Sequence, residues 1–219
     1  MTYLSWALFV EGPTDRAYLG VMLPRLISFL LANANGPIAV VPDNPVEVFG
    51  IPKDSLDSTA ERICMGSDAF HLMFVHGDLG GRGVASTVEY RTCALCEKIN
   101  ERCEFQLDRC ILAIPNREIE AWTLADQSAI RAAFGFSVDR PLPHVPIKPH
   151  HVESLPDPKI TRDEFLRAIA GGRRRHLARW PYESIAQEQD ISRLLSVPSF
   201  AALADGTRVA LRGLGYRDV

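Results

Sequence analysis

Apolar residues along this chain fall in short continuous runs, each halted by a knot of polar groups. YLSWALFV, residues 3–10, stops on Glu11-Gly12; IAVVP (38–42), HLMFV (71–75) and CILAI (110–114) follow the same plan. Runs of this length without polar alternation read as strands buried on both faces. Between them the spacing becomes helical. DRAYLGVMLPRLISFLLANA predicts a helix that is interrupted or restarted near Pro24, because proline cannot donate to the carbonyl one turn back. A second helix is predicted over 85–102. A third covers REIEAWTLADQSAIRAAFG, with Trp122, Ala125, Ala129 and Ala133 on one stripe and Gly135 closing it. Strands alternating with helices at these intervals predict an α/β fold, a mostly parallel sheet flanked by helices.

The pattern changes after Phe136. RPLPHVPIKPHHVESLPDPK is too rich in proline for regular helix and reads as a linker or wrapping loop over 137–160. Helical spacing returns at 161–170, 182–195 and 199–214. The expected organisation is an α/β domain over 1–136, the Pro-rich stretch, and a helical C-terminal extension over 161–219.

Composition narrows the class. With 219 residues, 47% hydrophobic and 23% charged, the chain can bury a real core and is neither fibrous nor disordered. The net charge of −3 excludes a broadly cationic protein but leaves room for a local basic patch. No apolar run approaches the roughly 20 residues that span a bilayer, and no secretory pattern opens the chain. The expectation is a cytoplasmic protein with no membrane partner. Five cysteines, an odd number, read as reduced thiols. Cys93 and Cys96 have zinc-like spacing, but their segment reads as helix and lacks the glycine-rich knuckles of a zinc ribbon.

The polar knots carry the chemistry. Ligands of parallel α/β sheets bind beyond the carboxyl ends of the strands. Here the first run delivers Glu11 and Asp15, the third Asp78, and the last leads to Glu118 and Glu120. Carboxylates gathered at one sheet edge repel unless a cation lies between them. Oxygen ligands of this kind suit Mg²⁺ or Mn²⁺, one or two ions, and phosphoryl-transfer or phosphodiester chemistry.

FVEGPTDRAYL resembles the opening motif of TOPRIM domains, especially those of the overcoming-lysogenization-defect nucleases, and FVHGD resembles the strand bearing their DxD motif. REIEAWTLAD, ESLPDPK and VPSFAAL together resemble a bacterial TOPRIM-like family, the domain of unknown function 4276. The likeness spreads over nearly the whole chain. It implies a TOPRIM-like, Rossmann-like fold in which Glu11 is metal ligand or general acid/base. Asp15 would be a second ligand, Asp78 a DxD ligand and Glu120 the late acid, with Glu11, Asp78 and Glu120 as the catalytic set. The DxD motif is incomplete in either register, since Gly80 or His76 stands where its other acid belongs. Asp15, Glu118, Glu120 or His76 would supply the missing ligand.

Basic residues supply the counterpart. Arg173, Arg174 and Arg175 adjoin a Gly-Gly turn, with His176 and Arg179 close by, and read as phosphate-backbone contacts. GDLGGRG (77–83) lacks the Lys-Ser/Thr of a P-loop and reads as a lip of the acidic site, with Arg82 as a phosphate contact. Lys159 is placed to reach the acids as a counter-ion. His144, His150 and His151 read as ordinary loop histidines. No nucleophile-elbow motif supports a serine hydrolase.

The expected function is therefore a divalent-metal-dependent nuclease with nucleic acid as partner. The resemblance adds a role in anti-phage defence beside a separate ATPase, since this chain has no Walker A motif; a homo-oligomer is compatible with all of this. The rival expectation is a catalytically degenerate TOPRIM module that binds an ATPase or nucleic acid without cleaving it.

Overall fold

A computed structural model describes residues 2–50, 55–79, 88–136, 142–169 and 179–219. Its centre is a four-stranded, wholly parallel sheet in the order β4 (Glu47–Gly50), β2 (Trp6–Val10), β5 (Leu72–His76), β6 (Cys110–Ala113). A two-stranded parallel sheet pairs β1 (Thr2–Tyr3) with β3 (Ala39–Val40). The α/β expectation with mostly parallel strands flanked by helices is met.

Period-two alternation divides the core. Trp6, Leu8, Val10, Leu72, Phe74, Ile111 and Ala113 face one side of the sheet. Ala7, Phe9, Met73, Val75 and Cys110 face the other. The second side is covered by α2 (Leu56–Met65) and α3 (Ala94–Cys103), through Ala60, Ile63, Leu95 and Ile99. A single turn of π-helix, Val88–Cys93, leads into α3.

The first side carries α1 (Pro13–Leu31), α4 (Ile119–Leu124), α5 (Gln127–Phe134), α6 (Pro158–Ile169), α7 (Tyr182–Glu188), α8 (Ile191–Leu194) and α9 (Pro198–Gly213). Phe165, Tyr182, Ile185, Leu194, Phe200 and Leu211 join Tyr18, Met22 and Trp122 in one continuous core, so the helices after 158 pack on the same layer as α1. A short 3₁₀ segment, Pro149–Ser154, lies within the Pro-rich stretch.

Several expectations are corrected. The first apolar run is two strands, because at Ser5 the chain changes partner. Leu4 N–H still donates to the β3 side at Val40, whereas the Ser5 carbonyl accepts from His71 and Leu72. Helix α1 runs unbroken through Pro24, which is buried. The helix expected over 117–135 is two, α4 and α5: Asp126 breaks it by capping α5, its carboxylate accepting from Ser128 N–H. Likewise 182–195 divides at Gln189-Asp190 into α7 and α8.

The cysteines also differ from expectation. Cys64 is bonded to Cys103 and Cys96 to Cys110, with Cα atoms 5.7 and 5.9 Å apart, and Cys93 alone is free. Packing of α2 beside α3, and of Cys96 of α3 in one cluster with Cys110 of β6, brings each pair within bridging reach. No helix among the described residues is long and apolar enough to cross a membrane.

Candidate metal centre

The strand order itself selects the site. From β2 the chain crosses to β4 on one side, then returns through α2 to β5 on the other. The carboxyl ends of β2 and β5 therefore flank the point where the winding reverses, which is where open α/β sheets hold ligands.

Gly12 N-caps α1, Pro13 fills its first position, and Asp15 sits in the first turn. The Gly12 N–H donates to Asp15 Oδ2 at 2.8 Å, which turns this carboxylate back over the strand end. Asp15 is buried, and so is His76, the last residue of β5. His76 Nε2 lies 3.7 Å from Asp15 Oδ2 and 3.5 Å from Asp78 Oδ1. Asp78 is held from a third direction by the Ile119 N–H, at the start of α4 (3.2 Å). To deliver that N–H the chain turns through Arg117 at φ +80, a left-handed conformation uncommon for a side chain of this kind. Asp15, His76 and Asp78 each offer one ligand atom, all within 4.8 Å of one another, the one such group among the described residues.

The electrostatics are those of crowded acids. Burial, followed by the charges of Asp15 and Glu120, pushes the Asp78 carboxyl up to about 8. Burial dominates at His76 as well and lowers its pKa, against the pull of Asp15 and the hydrogen bond to Ala113. Burial thus disfavours the imidazolium at His76, which lies between the carboxyl groups of Asp15 and Asp78.

The remaining expected acids are tied to cations of the chain. Glu11 is ion-paired with Arg91 of the π-helical turn at 2.7 Å. Glu118 Oε1 accepts from Lys159 Nζ at 2.7 Å, the counter-ion role expected of that lysine. Glu120, almost fully buried, accepts from Arg162 (2.6 Å) and from the Tyr182 hydroxyl (2.7 Å). The second oxygens of Glu118 and Glu120 are buried without a hydrogen-bond partner among the described residues.

Arg91, Arg162 and Tyr182 are the site residues that sequence reasoning missed. Arg162 had a signal, standing one turn beyond Lys159 on α6 and so on the same face. Tyr182 and Arg91 had none, since their relation to the acids exists only through tertiary packing.

Arg82, Arg173, Arg174 and Arg175 lie outside the described residues, as does Gly80 of the incomplete DxD. Arg179, at the end of the basic segment, lines a cleft of about 260 Å³ with Pro13, Thr14 and Tyr182, at the N-terminus of α1. A groove of about 760 Å³ runs along α1 past Arg16, Gly20 and Arg25 and shares no residue with the acidic trio.

The chain matches no family model, and no curated protein or solved structure matches it.

Proposed function

We propose that this protein is a TOPRIM-like, divalent-metal-dependent nuclease. The observation that carries the reading is the convergence of Asp15, His76 and Asp78 at the switch point of a parallel sheet, where the charges of Glu11 and Glu120 also act on Asp78. The trio fits a cation on its own chemistry: three ligand atoms lie close together, and one of them, His76 Nε2, is buried without a hydrogen bond among the described residues. A bound divalent ion supplies Lewis acidity, which activates water and neutralises charge on a phosphodiester.

The chain's own groups do the rest. Asp15 and Asp78 present oxygens from two adjacent strand ends. Lys159, with Arg179 at the neighbouring cleft, offers positive charge for phosphate oxygens. Glu120 is held in one orientation by Arg162 and Tyr182, and its charge acts on Asp78. Nucleic acid is the proposed substrate, and any ATP-driven step belongs to a separate ATPase partner.

One observation favours the second reading, a binding module that does not cleave. Glu11 and Glu120, two of the three expected catalytic acids, are ion-paired with arginines of the same chain. The test is cleavage of plasmid, single-stranded DNA and RNA by the purified protein with Mg²⁺ or Mn²⁺, beside Asp78→Asn and Glu11→Gln. Metal-dependent cutting abolished by Asp78→Asn is the expected result. Intact substrate under every condition, with binding that weakens steeply with salt, would favour the non-cleaving module.

A further inference from the structure

We infer that the cation seat at the head of β5 is built for a first-row transition ion, Mn²⁺ through Zn²⁺, in preference to Mg²⁺, with His76 Nε2 as its nitrogen ligand beside Asp15 and Asp78. The inference rests on the metal-binding part of the reading above and is independent of whether phosphodiesters are cut.

The tautomer comes first. His76 Nδ1 lies 2.8 Å from the carbonyl oxygen of Ala113, its register partner on β6. A carbonyl has no proton to give, so Nδ1 carries the hydrogen and donates it. In the neutral ring Nε2 then presents a lone pair. That atom is wholly buried and without a hydrogen-bond partner among the described residues, a condition that costs free energy unless something occupies the lone pair.

The lone pair can take a proton shared with a neighbouring carboxyl, the hydrogen of a water, or a metal, and the spacing of the ligand atoms speaks for the last. An imidazolium bridging two carboxylates makes short charge-assisted hydrogen bonds of about 2.7–2.9 Å. The separations here are 3.5 and 3.7 Å. Ligands bonded to a common ion at about 2.1 Å lie roughly 3.0–3.5 Å apart for octahedral to tetrahedral angles. The observed spacing is only slightly wider than that and far from the hydrogen-bonded value. The donated hydrogen bond from the far ring nitrogen is also the feature that metal-ligating histidines show almost without exception, since it fixes the ring and raises its basicity.

A nitrogen among the ligands then chooses the ion. Mg²⁺ takes oxygen ligands and gives up its water reluctantly, whereas imidazole affinity rises across the first row toward Cu²⁺ and stays high at Zn²⁺. One histidine and two carboxylates also leave positions open for water or a phosphate oxygen, the condition of a catalytic rather than a structural centre. The other acids cannot substitute for His76 without breaking an ion pair to Arg91, Lys159 or Arg162.

The experiment is a titration of chelator-stripped full-length protein with Mn²⁺, Co²⁺, Zn²⁺ and Mg²⁺ by calorimetry. Pulsed electron paramagnetic resonance of the Mn²⁺-loaded wild type accompanies it. The expected result is that the transition ions bind about tenfold or more tightly than Mg²⁺, and that Mn²⁺ shows nitrogen-14 coupling from a coordinated imidazole. His76→Asp should abolish the coupling and bring Mg²⁺ level with Mn²⁺. The spectrum of the wild type stands whether or not that variant folds. Equal affinity for Mg²⁺ and Mn²⁺, or bound Mn²⁺ without nitrogen coupling, overturns the inference. Failure of every ion to bind overturns it together with the metal reading. Selective binding with nitrogen coupling but no cleavage of nucleic acid sustains it while the nuclease reading falls.

Discussion

Asp78 concentrates the electrostatic conflict of the site in a single carboxyl. Its folded value of about 8 stands far above the ordinary 3.8, so between these limits the metal-free folded state holds a proton that the unfolded chain has released. Stability therefore falls as pH rises from about 4 to about 8 and levels off above. His76 acts in the opposite sense. Its folded value is lowered, so stability is lost as pH falls through the ordinary 6.5, where the unfolded imidazole gains a proton first. Asp78→Asn keeps an oxygen for the Ile119 N–H and removes the titration. It should raise the melting temperature of chelated protein at pH 8 and leave it unchanged at pH 4. A uniform shift at both pH values would place the effect in packing instead of charge.

Among the elements, the short helices depend on side chains that grip several backbones at once. Asp126 caps α5 through Ser128 N–H, accepts from Asp190 N–H at the start of α8, and is ion-paired with Arg193 at 3.0 Å. Asp126→Ala deletes all three contacts in a buried setting, and a loss of about 2–4 kcal/mol is expected in urea unfolding. The same residue shows why part of the fold was hidden in the sequence. Trp122, Ala125, Ala129 and Ala133 keep helical period straight across the break, so periodicity alone predicts one helix. The break is made by Asp126, which caps α5 locally and is anchored there by Asp190 and Arg193, and the apolar period does not register it. Strand β4 escaped for a different reason: EVFG has one buried residue in four, too little apolar signal to stand out. Asp15, His76 and Asp78 were legible because each terminates or follows a strongly apolar run. The ion pairs that occupy Glu11 and Glu120 were not, since Arg91 and Arg162 lie 80 and 42 positions away along the chain.

Across the whole molecule, the C-terminal helices are bound to the sheet edge through Glu120. Its carboxylate receives Arg162 from α6 and Tyr182 from α7, so two elements of the last third of the chain meet on one buried charge at the head of α4. Arg162→Ala strands that charge and should cost about 3–5 kcal/mol, whereas Tyr182→Phe removes one hydrogen bond to it and should cost about 1.5–3 kcal/mol. Adding Glu120→Gln to Arg162→Ala should recover much of the loss. Chemical denaturation of the four proteins decides this, and equal effects of the single and double variants would show that the arginine acts by packing alone.

The group that orients His76 has a consequence for how such a protein can change over time. The acceptor is the carbonyl of Ala113, an atom of the main chain. Every amino acid carries the same oxygen there, so codon changes at 113 alter the methyl that fills the core but never the tautomer. A deep mutational scan would score position 113 by side-chain size only and miss its part in the chemistry. The imidazole can be lost by drift in one step, but its supporting partner persists for as long as β6 pairs with β5 in this register. A lineage that abandons the histidine thus retains the means to readopt it, and only an ester in place of the amide, made by chemical synthesis, would weaken the carbonyl's role directly.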